Sequence, residues 1–361
     1  MRAMGEHDDE LARIRMALEV ADQALVASLD ARARAVKDLV ALRAKDTEGY
    51  YALPRDQEIV ERVKTQAREF PLQALEPVMR EILSACASIT ARVQVAYLGP
   101  EGGLAHLAAR RHFGASAELR AVESVGAVVE EVSRARAGFG IVPLETSSDG
   151  AVTATLDALA STEVKICAEL TLPVRYHLMS KTGNATDIEK IYAASASIAA
   201  CEHYLRAQFP RAMVMDVPSA AMGAQLASGD HGAAAVGTEV VAELAGLRII
   251  RESIQDENGV ETRFAVIGSE LPPRTGTDRT VLALAVHDKP GALLKALGPF
   301  AERSVNLTRL ESRPAHGAAW RYLFFVELDG HVTDRNILTA IEELRSVSRY
   351  VKTLGSYPRP T

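Results

Sequence analysis

The sequence has few cysteines, few aromatic residues and no long apolar run, and each shortage excludes a class of protein. Its three cysteines, Cys86, Cys167 and Cys201, are odd in number and far apart, which is typical of reduced thiols in a cytoplasmic protein. No stretch approaches the roughly 18 uncharged apolar residues of a membrane span, and the charged N-terminus lacks the apolar core of a secretion signal. The nine histidines show no HExxH or CxxC spacing, so we expect no metal site and no cofactor.

Positive charge is also in short supply. The formal net charge is −6, with 41 Lys and Arg against 47 Asp and Glu. Surfaces that bind nucleic acid are usually net basic, so this balance argues against a nucleic-acid partner. What remains is an ordinary globular composition of 48% hydrophobic and 24% charged residues. A chain of 361 residues is expected to form two or three domains.

Residues 1–92 predict an all-α domain. They are rich in Ala, Leu, Arg and Glu, and from Asp8 to about Lys45 no Gly or Pro interrupts the run. An unbroken helix of that length would extend about 57 Å, which is too long for a compact monomer and indicates a bundle or an interlocked dimer. Two further helices are predicted to begin near prolines, at Pro54 and between Pro71 and Pro77.

Three arginines lie within the apolar stripe of the first predicted helix. At 4-3 spacing this helix presents a coiled-coil-like seam of leucine and valine that also contains Arg15, Arg32 and Arg43. A guanidinium buried beside apolar residues is costly unless it meets an anion. These arginines either extend their charged ends to solvent or pair with Asp22 and other carboxylates, or they line a pocket for a small polyanion, and the pattern alone leaves these readings open.

The helical segment resembles the helical chorismate mutase family over about residues 8–91. The runs that carry the resemblance are LARIRMALEVADQALVASLDARARAVKDL, LPRDQEIVERV and VMREILSACASI. That family rearranges chorismate to prephenate among cationic side chains, by holding the compact conformer and stabilising charge on the breaking ether oxygen. The resemblance implies a chorismate site made of Arg15, Arg32, Arg43, Arg55, Asp56, Cys86 and Thr90.

Residues 93–271 alternate between short strands and helices, which predicts an α/β domain. The runs AYLGPEGGLAHLAA, GIVPLETSSDGAV and ETRFAVIG resemble prephenate dehydratase. That family has two α/β lobes with a cleft between them, like a type II periplasmic binding protein, and converts prephenate to phenylpyruvate with loss of water and CO2. The resemblance implies that Thr262 donates to the departing hydroxyl group, within a catalytic set of Glu145, Thr146, Ser147, Thr262, Arg263 and Phe264.

Residues 278–361 follow a proline-containing linker and predict a βαββαβ unit, the ferredoxin-like α+β arrangement. The runs DKPGAL and NLTRLESRP resemble the ACT domain of prephenate dehydratases. In that family they bind phenylalanine at an interface between two ACT domains, and the amino acid inhibits the dehydratase. The resemblance implies an effector site made of Gly291, Ala292, Leu293, Asn306, Glu311, Ser312, Arg313 and Pro314.

Several catalytic positions depart from the family patterns, whereas the effector runs are intact. Thr146 stands where Asn is usual, Thr90 where Gln is usual, and Val260 where an Asn usually precedes Thr-Arg-Phe. The first hypothesis is a cytoplasmic bifunctional enzyme that acts on chorismate and prephenate and is regulated by phenylalanine. Two alternatives stand beside it: a catalytically degenerate phenylalanine-binding regulatory protein, and an enzyme for a related cyclohexadienyl substrate.

Helix geometry predicts a homodimer or a larger homo-oligomer. Arg15 and Arg32 would lie about 26 Å apart along one straight helix, too far to close on one chorismate molecule, whereas Arg32 and Arg43 lie about 16 Å apart and can share it. Arg15 is therefore expected to come from a second copy of the chain. The apolar seam that would hold this copy contains Leu11, Leu18, Leu25, Leu29, Val36 and Leu39.

Overall fold

A computed structural model describes residues 2–43, 53–89, 92–314 and 322–360. Within these ranges the chain builds a helical segment, an α/β segment of two lobes, and an α+β segment whose strands join the sheet of the first lobe. The three predicted fold classes are confirmed. No helix in the four ranges has both the length and the apolar character that a bilayer crossing requires.

Three helices form the N-terminal segment: α1 (Arg2–Arg43), α2 (Leu53–Lys64) and α3 (Leu72–Ser88). α1 is one unbroken helix, as the absence of Gly and Pro after Asp8 predicts. Its C-terminal part contacts α3 and buries Val36, whereas every side chain of residues 9–31 is exposed. Most of the apolar seam therefore lies outside the packing of this chain.

The first lobe is a sheet with helices on both faces. Strand β11 returns from the second lobe and pairs antiparallel with β3 and β5. Side chains of α4 pack on one face of this sheet, and those of α5 and α6 pack on the other. The elements are β1 (Gln94–Leu98), α4 (Leu104–Phe113), β2 (Glu118–Val122), α5 (Val125–Ser133), β3 (Phe139–Thr146), β4 (Gly150–Ala151), α6 (Thr153–Ser161), β5 (Lys165–Pro173) and β11 (Glu261–Gly268).

The second lobe has its own five-stranded sheet, in the order β10-β6-β9-β7-β8. The helical stretch after β7 is divided at Cys201, whose non-helical backbone ends α7 and precedes α8. The elements are β6 (His177–Ser180), a 3-10 turn (Ala185–Asp187), β7 (Lys190–Ala193), α7 (Ser195–Ala200), α8 (Glu202–Gln208), β8 (Met213–Asp216), α9 (Ala220–Gly229), β9 (Ala233–Gly237), α10 (Glu239–Ala245) and β10 (Arg248–Arg251).

The C-terminal segment has the predicted βαββαβ order. Helices α11 and α12 pack on one face of its strands, and the opposite face packs toward the first lobe. The elements are β12 (Asp278–Val286), α11 (Ala292–Glu302), β13 (Leu307–Pro314), β14 (Tyr322–Asp329), α12 (Arg335–Val347) and β15 (Ser348–Pro358).

These C-terminal strands continue the sheet of the first lobe, which the sequence pattern did not predict. Strand β15 runs parallel to β5, with Gly355 opposite Ile166. The resulting ten-stranded sheet has the order β13-β14-β12-β15-β5-β11-β3-β1-β2, with β4 beside β3. The sequence linker 272–277 therefore does not separate two independent sheets.

The helical segment docks directly on the turn between α4 and β2. The Glu81 carboxylate of α3 accepts hydrogen bonds from the Ala115 N–H at 3.0 and 3.2 Å, and the Ser84 hydroxyl accepts one from Ser116. Nearby, Arg80 donates to the backbone carbonyl of His112. Burial, together with the Arg80 charge, lowers the pKa of the His112 ring to about 3, so the ring is neutral at physiological pH.

Candidate active and effector sites

Thr262 and Arg263 follow each other on β11 and face opposite sides of the sheet. Thr262 is registered with Thr146 of β3 and with Leu172 of β5, whereas Arg263 is registered with Glu145 and Thr171. Because successive side chains of a strand alternate between faces, the pair Thr146–Thr262 lies on one face and the pair Glu145–Arg263 on the other. The six residues of the implied catalytic set therefore do not form one cluster.

The threonine face is the side on which the two lobes meet. Leu172, the neighbour of Thr262, packs in a core cluster with α4 and with Val240 of α10. The Thr262 side chain is buried, and its Oγ1 has no hydrogen-bond partner among the residues that the structure describes. Thr146 Oγ1 lies 3.4 Å from the Asp149 carboxylate. A buried hydroxyl left unpaired costs about 1–3 kcal/mol, which a ligand that accepts its hydrogen bond would recover.

The opposite face carries a group of ionised side chains that we call the ion cluster. Arg263 donates to Glu169 through Nε and Nη2, both at 2.8 Å, and to Glu145 through Nη1 at 2.6 Å. It also contacts Glu327 of β14 at 3.1 Å, so its guanidinium spans the lobe and the C-terminal segment. The members of the ion cluster are Glu145, Glu169, Arg263, Arg279, Arg309, Glu311 and Glu327.

Mutual pairing keeps these buried groups charged. Burial disfavours the charged form of Glu169, but hydrogen bonds and charges from Arg263 and Arg279 outweigh it and lower the pKa of that carboxyl. Burial likewise opposes the charge on Arg263, yet Glu169, Glu327 and Glu145 raise its pKa. The buried Tyr357 hydroxyl donates to Glu169 at 3.0 Å. Removing one member would leave an uncompensated buried charge, at a cost of about 3–5 kcal/mol.

Two other members of the implied catalytic set, Ser147 and Phe264, hold the fold together. Ser147 N–H donates to the Glu261 carbonyl at 2.9 Å, and its Oγ accepts from the Glu261 N–H at 3.0 Å, which closes the β3–β11 ladder. Phe264 is a fully buried core residue. On the face where the lobes meet, Phe264 belongs to the apolar core, and the polar members of the set are Thr146 and Thr262.

Polar contacts between α4 and α10 join the lobes. The Thr238 hydroxyl donates to the Gly102 carbonyl at 2.7 Å, and Arg111 pairs with Glu239 at 2.9 Å. The His177 imidazole, 3.7 Å away, and the Arg111 guanidinium hold the pKa of Glu239 at about 2. A cavity of about 430 Å³ lies nearby, and its lining includes Glu101 but not Thr262.

The implied chorismate residues are only partly described. Arg15 is exposed, Cys86 is buried, and Arg32 is half-buried, with an Nε that is buried and unpaired within the described part of the chain. Because α1 is continuous, Arg15 and Arg32 of one chain lie about 26 Å apart along it. The side chains of Arg43, Arg55 and Asp56 and the whole of Thr90 lie outside the described residues.

The residues implied for the effector site also divide between two faces of a strand. On β13, Glu311 pairs with Arg309 at 2.7 Å and Arg313 pairs with Asp157 of α6 at 2.9 Å, both toward the first lobe. Ser312 is registered with Phe324, whose side chain packs with the core beneath α11 and α12. By the alternation of side chains, Ser312 and Pro314 therefore face the side of α11.

The two ends of this β unit hold different effector residues. Gly291 has a φ of 76° and caps the N-terminus of α11, whose first two residues are Ala292 and Leu293. These three residues lie at the end of the β unit where β12 ends at Val286 and β13 ends at Pro314. Asn306 donates to Asp329 at the other end. From Asn306 to Ser312 is roughly 20 Å along the strand, so one chain does not bring all these residues together.

Sequence reasoning missed most of the ion cluster. It named Glu145, Arg263 and Glu311 as site residues but not Glu169, Arg279, Arg309 and Glu327. A signal exists for Glu169, Arg279 and Glu327, because each is a charged residue inside a strand that otherwise carries buried apolar side chains, as in KICAELTLP and YLFFVELD; β13 gives no such signal for Arg309. Buried ionised groups require partners, so such residues point to one another.

Comparisons with known proteins match all three segments. The family models for chorismate mutase type II, prephenate dehydratase and the ACT domain match residues 14–90, 95–271 and 280–346. A bifunctional chorismate mutase/prephenate dehydratase of Aquifex aeolicus (strain VF5) is 36% identical over 97% of this chain and 98% of its own. The chain belongs to the bifunctional chorismate mutase/prephenate dehydratase family. The order mutase, dehydratase, ACT predicted from the sequence is thereby confirmed.

Solved structures match the bifunctional family's dehydratase fold. A prephenate dehydratase in complex with L-Phe from Arthrobacter aurescens is 33% identical, with a TM-score of 0.65, over 73% of this chain and 90% of that chain. A protein described as a novel type of quorum quenching acylase is 26% identical, with a TM-score of 0.66, over 74% of this chain and 98% of that chain. The fold is therefore shared with a protein that has a different named activity.

Proposed function

We propose that this enzyme rearranges chorismate to prephenate in its helical segment and converts prephenate to phenylpyruvate in its α/β segment, as steps of phenylalanine synthesis. We place it in the cytoplasm, where its three cysteines would stay reduced. The effector is L-phenylalanine, which binds the ACT domain and lowers the dehydratase turnover.

The dehydratase proposal is carried by the Thr262 hydroxyl on the face where the lobes meet, which is buried and unpaired among the residues that the structure describes. In the reaction the bond to the ring carboxylate breaks, and its electron pair forms the last double bond of the aromatic ring as hydroxide leaves. The Thr262 hydroxyl donates a hydrogen bond to that departing oxygen, and the released hydroxide takes a proton from solvent to become water. Thr146 supplies a second hydroxyl beside it, in the place of the amide that is usual there.

The mutase proposal rests on Arg32, whose buried Nε lacks a partner within the described chain, and on the exposed seam of α1. A second chain packed along the seam would bury the apolar residues and bring its own Arg15 to the Arg32 end of the first chain. Chorismate would then meet Arg15 of one chain, together with residues of the other: Arg32, Arg43, Arg55, Asp56, Cys86 and Thr90.

The effector proposal places phenylalanine against Gly291, Ala292 and Leu293 and against the Ser312–Pro314 end of β13. Asn306 lies at the far end of the same strand, so in a homodimer it would approach the site from the partner. Glu311 and Arg313 face the first lobe and would serve the site by holding β13 in place.

Separate assays of the two half-reactions on the purified full chain test this function. We expect chorismate consumption, phenylpyruvate release from added prephenate, and inhibition of the second step by phenylalanine. Phenylalanine should also raise the unfolding temperature, as any ligand of the native state does.

The same assays distinguish the two alternative functions that are suggested by Thr146 and the other substitutions at usual catalytic positions. Absence of both turnovers, with phenylalanine still raising the unfolding temperature, would establish a phenylalanine-binding regulatory protein. Turnover of a related cyclohexadienyl acid in preference to prephenate would establish a changed substrate. An unmoved melting curve at saturating phenylalanine would refute the effector site under every reading.

A further inference from the structure

Arg309 of the ACT domain contacts the dehydratase lobe directly behind the Thr146–Thr262 pair. Its Nη1 donates to Glu145 Oε2 at 2.8 Å, and the same carboxylate oxygen accepts from Arg263 Nη1 at 2.6 Å. Its Nη2 donates to Glu311 at 2.7 Å, which fixes the plane of the guanidinium. One arginine thus joins the effector strand β13 to the two residues that adjoin Thr146 and Thr262 in the chain.

Strands β13 and β11 each carry functional residues on both faces. On β13, Arg309, Glu311 and Arg313 face the lobe, whereas Ser312 lies on the side of α11. On β11, Arg263 faces the ion cluster while Thr262 faces the other lobe. A displacement of either backbone therefore moves a ligand-facing residue and a cluster residue together.

The local structure permits such a displacement. β13 is the last strand of the described sheet and pairs with β14, and in the proposed homodimer it lies beside the partner's ACT domain, where phenylalanine binds. The β3–β11 ladder shifts register between Arg263 and Phe264, immediately beside the catalytic threonine. An irregular ladder resists small shifts less than a regular pair does.

We propose that Arg309 is a positioning residue that couples phenylalanine binding at the ACT domain to the Thr146–Thr262 pair, through Glu145 and Arg263. This inference rests on the proposed feedback function. Phenylalanine bound on the α11 side of β13 moves the strand, Arg309 then moves the shared Glu145 carboxylate, and the backbones of β3 and β11 carry the change to the threonine hydroxyls. Coupling of this kind typically changes ligand affinity by roughly 5- to 150-fold.

Arg309→Lys tests the coupling, because lysine keeps the charge but its point-like ammonium cannot hold Glu145 and Glu311 with two arms of one fork. The matched control is Arg279→Lys, the same change at another arginine of the ion cluster, whose partners are Glu169 and Glu327. For each full-length variant we would measure the phenylalanine Kd by calorimetry and the fraction of prephenate turnover that remains at saturating phenylalanine.

We expect Arg309→Lys to bind phenylalanine and yet to retain nearly all its turnover, with a coupling factor within about twofold of one. Arg279→Lys should stay inhibited like the wild type. Wild-type-like inhibition in Arg309→Lys, or equal loss of inhibition in both variants, would overturn the role of Arg309. A wild type that is active but not inhibited by phenylalanine would overturn the feedback function itself, and the coupling with it.

Hydrogen exchange gives a readout that does not depend on turnover. In the wild type, phenylalanine should change the exchange of amides in residues 139–146 and 261–268, and in Arg309→Lys this change should disappear while the change around residues 291–293 persists. Arg309→Gln provides the same comparison if the lysine variant does not fold. Persistence of the strand response in a folded Arg309 variant would contradict the proposal.

Discussion

Gly355 of β15 lies directly against Ile166 of β5, and through this pair the ACT strands continue the sheet of the dehydratase lobe. A Cβ at Gly355 would lie 2.6 Å from the Ile166 Cβ and 2.7 Å from its carbonyl oxygen. Backbone atoms cannot move aside as a flexible side chain can, so a glycine is required here. The ACT domain and the dehydratase lobe consequently share one hydrogen-bonded sheet.

Gly355→Ala is expected to destabilise the enzyme, because the new methyl group forces β15 away from β5. Overpacking of this kind costs about 1–3 kcal/mol. Urea denaturation should show a lower midpoint, with loss of protection in residues 348–358. The control is Gly229→Ala, where a Cβ meets open space at the end of α9. An unchanged midpoint for Gly355→Ala would contradict the close approach described here.

The fold was largely predictable because each segment carries its own periodicity. The unbroken run after Asp8 predicted α1, and the βαββαβ rhythm predicted the ACT unit. The join at Gly355 was not predictable, because a glycine in a strand has several readings and its partner lies 189 positions earlier in the sequence. A long-range pair of this kind leaves no local pattern.

The candidate sites were predictable as short runs but not as arrangements in space. Thr-Arg-Phe identified three consecutive residues, yet alternation along β11 places Thr262 between the lobes and Arg263 in the ion cluster. The run ESRP divides in the same way on β13. A motif records which residues are required, whereas the faces they serve depend on what packs on each side of the strand.

Thr262→Val is expected to abolish most of the dehydratase turnover without destabilising the protein. Valine has nearly the same shape, and it removes a hydroxyl that is unpaired within the described chain, so the free energy of unfolding should stay the same or rise. Loss of the donor should lower kcat by roughly 100- to 10,000-fold. Thr262→Ser, which keeps the hydroxyl, is the matched control. Equal kcat values for Thr262→Val and the wild type would refute the assigned role.

Acid should destabilise the folded protein through Glu239, which contacts His177 of its own lobe and Arg111 of the first lobe. Its pKa of about 2 in the folded protein lies below the usual value of 4.5, so its contribution to stability is full above about pH 4.5 and is lost as the pH falls toward 2. Glu239→Gln should therefore lose less stability than the wild type between about pH 5 and about pH 2. Thermal unfolding across this range measures the difference.

The control for that experiment is Glu130→Gln, which alters an exposed pair with Arg134 within one helix turn of α5. Exposed pairs contribute little, so its pH profile should follow the wild type. If Glu239→Gln also follows the wild type through the acid range, the contact of Glu239 with Arg111 and His177 does not stabilise the folded state.

Mixing two inactive mutase variants should restore activity if each mutase pocket takes residues from two chains. Arg15→Ala removes one side of each pocket and Arg32→Ala the other, so each homodimer has two damaged pockets. In a heterodimer, one pocket carries both changes and the other carries neither. Random pairing of equal amounts gives intact pockets at about one quarter of the wild-type number.

The reverse mixture controls for subunit exchange. Combining the wild type with the double variant Arg15→Ala/Arg32→Ala places one change in every pocket of a heterodimer, so chorismate mutase activity should fall by about half after exchange. Both results are expected for the same reason. The seam of α1 is exposed and can bind a second chain, and Arg15 and Arg32 of one chain lie about 26 Å apart, too far to share one pocket. No recovery in the first mixture after confirmed exchange, or a monomer by light scattering, would exclude a shared pocket and leave Arg15 as an exposed surface residue.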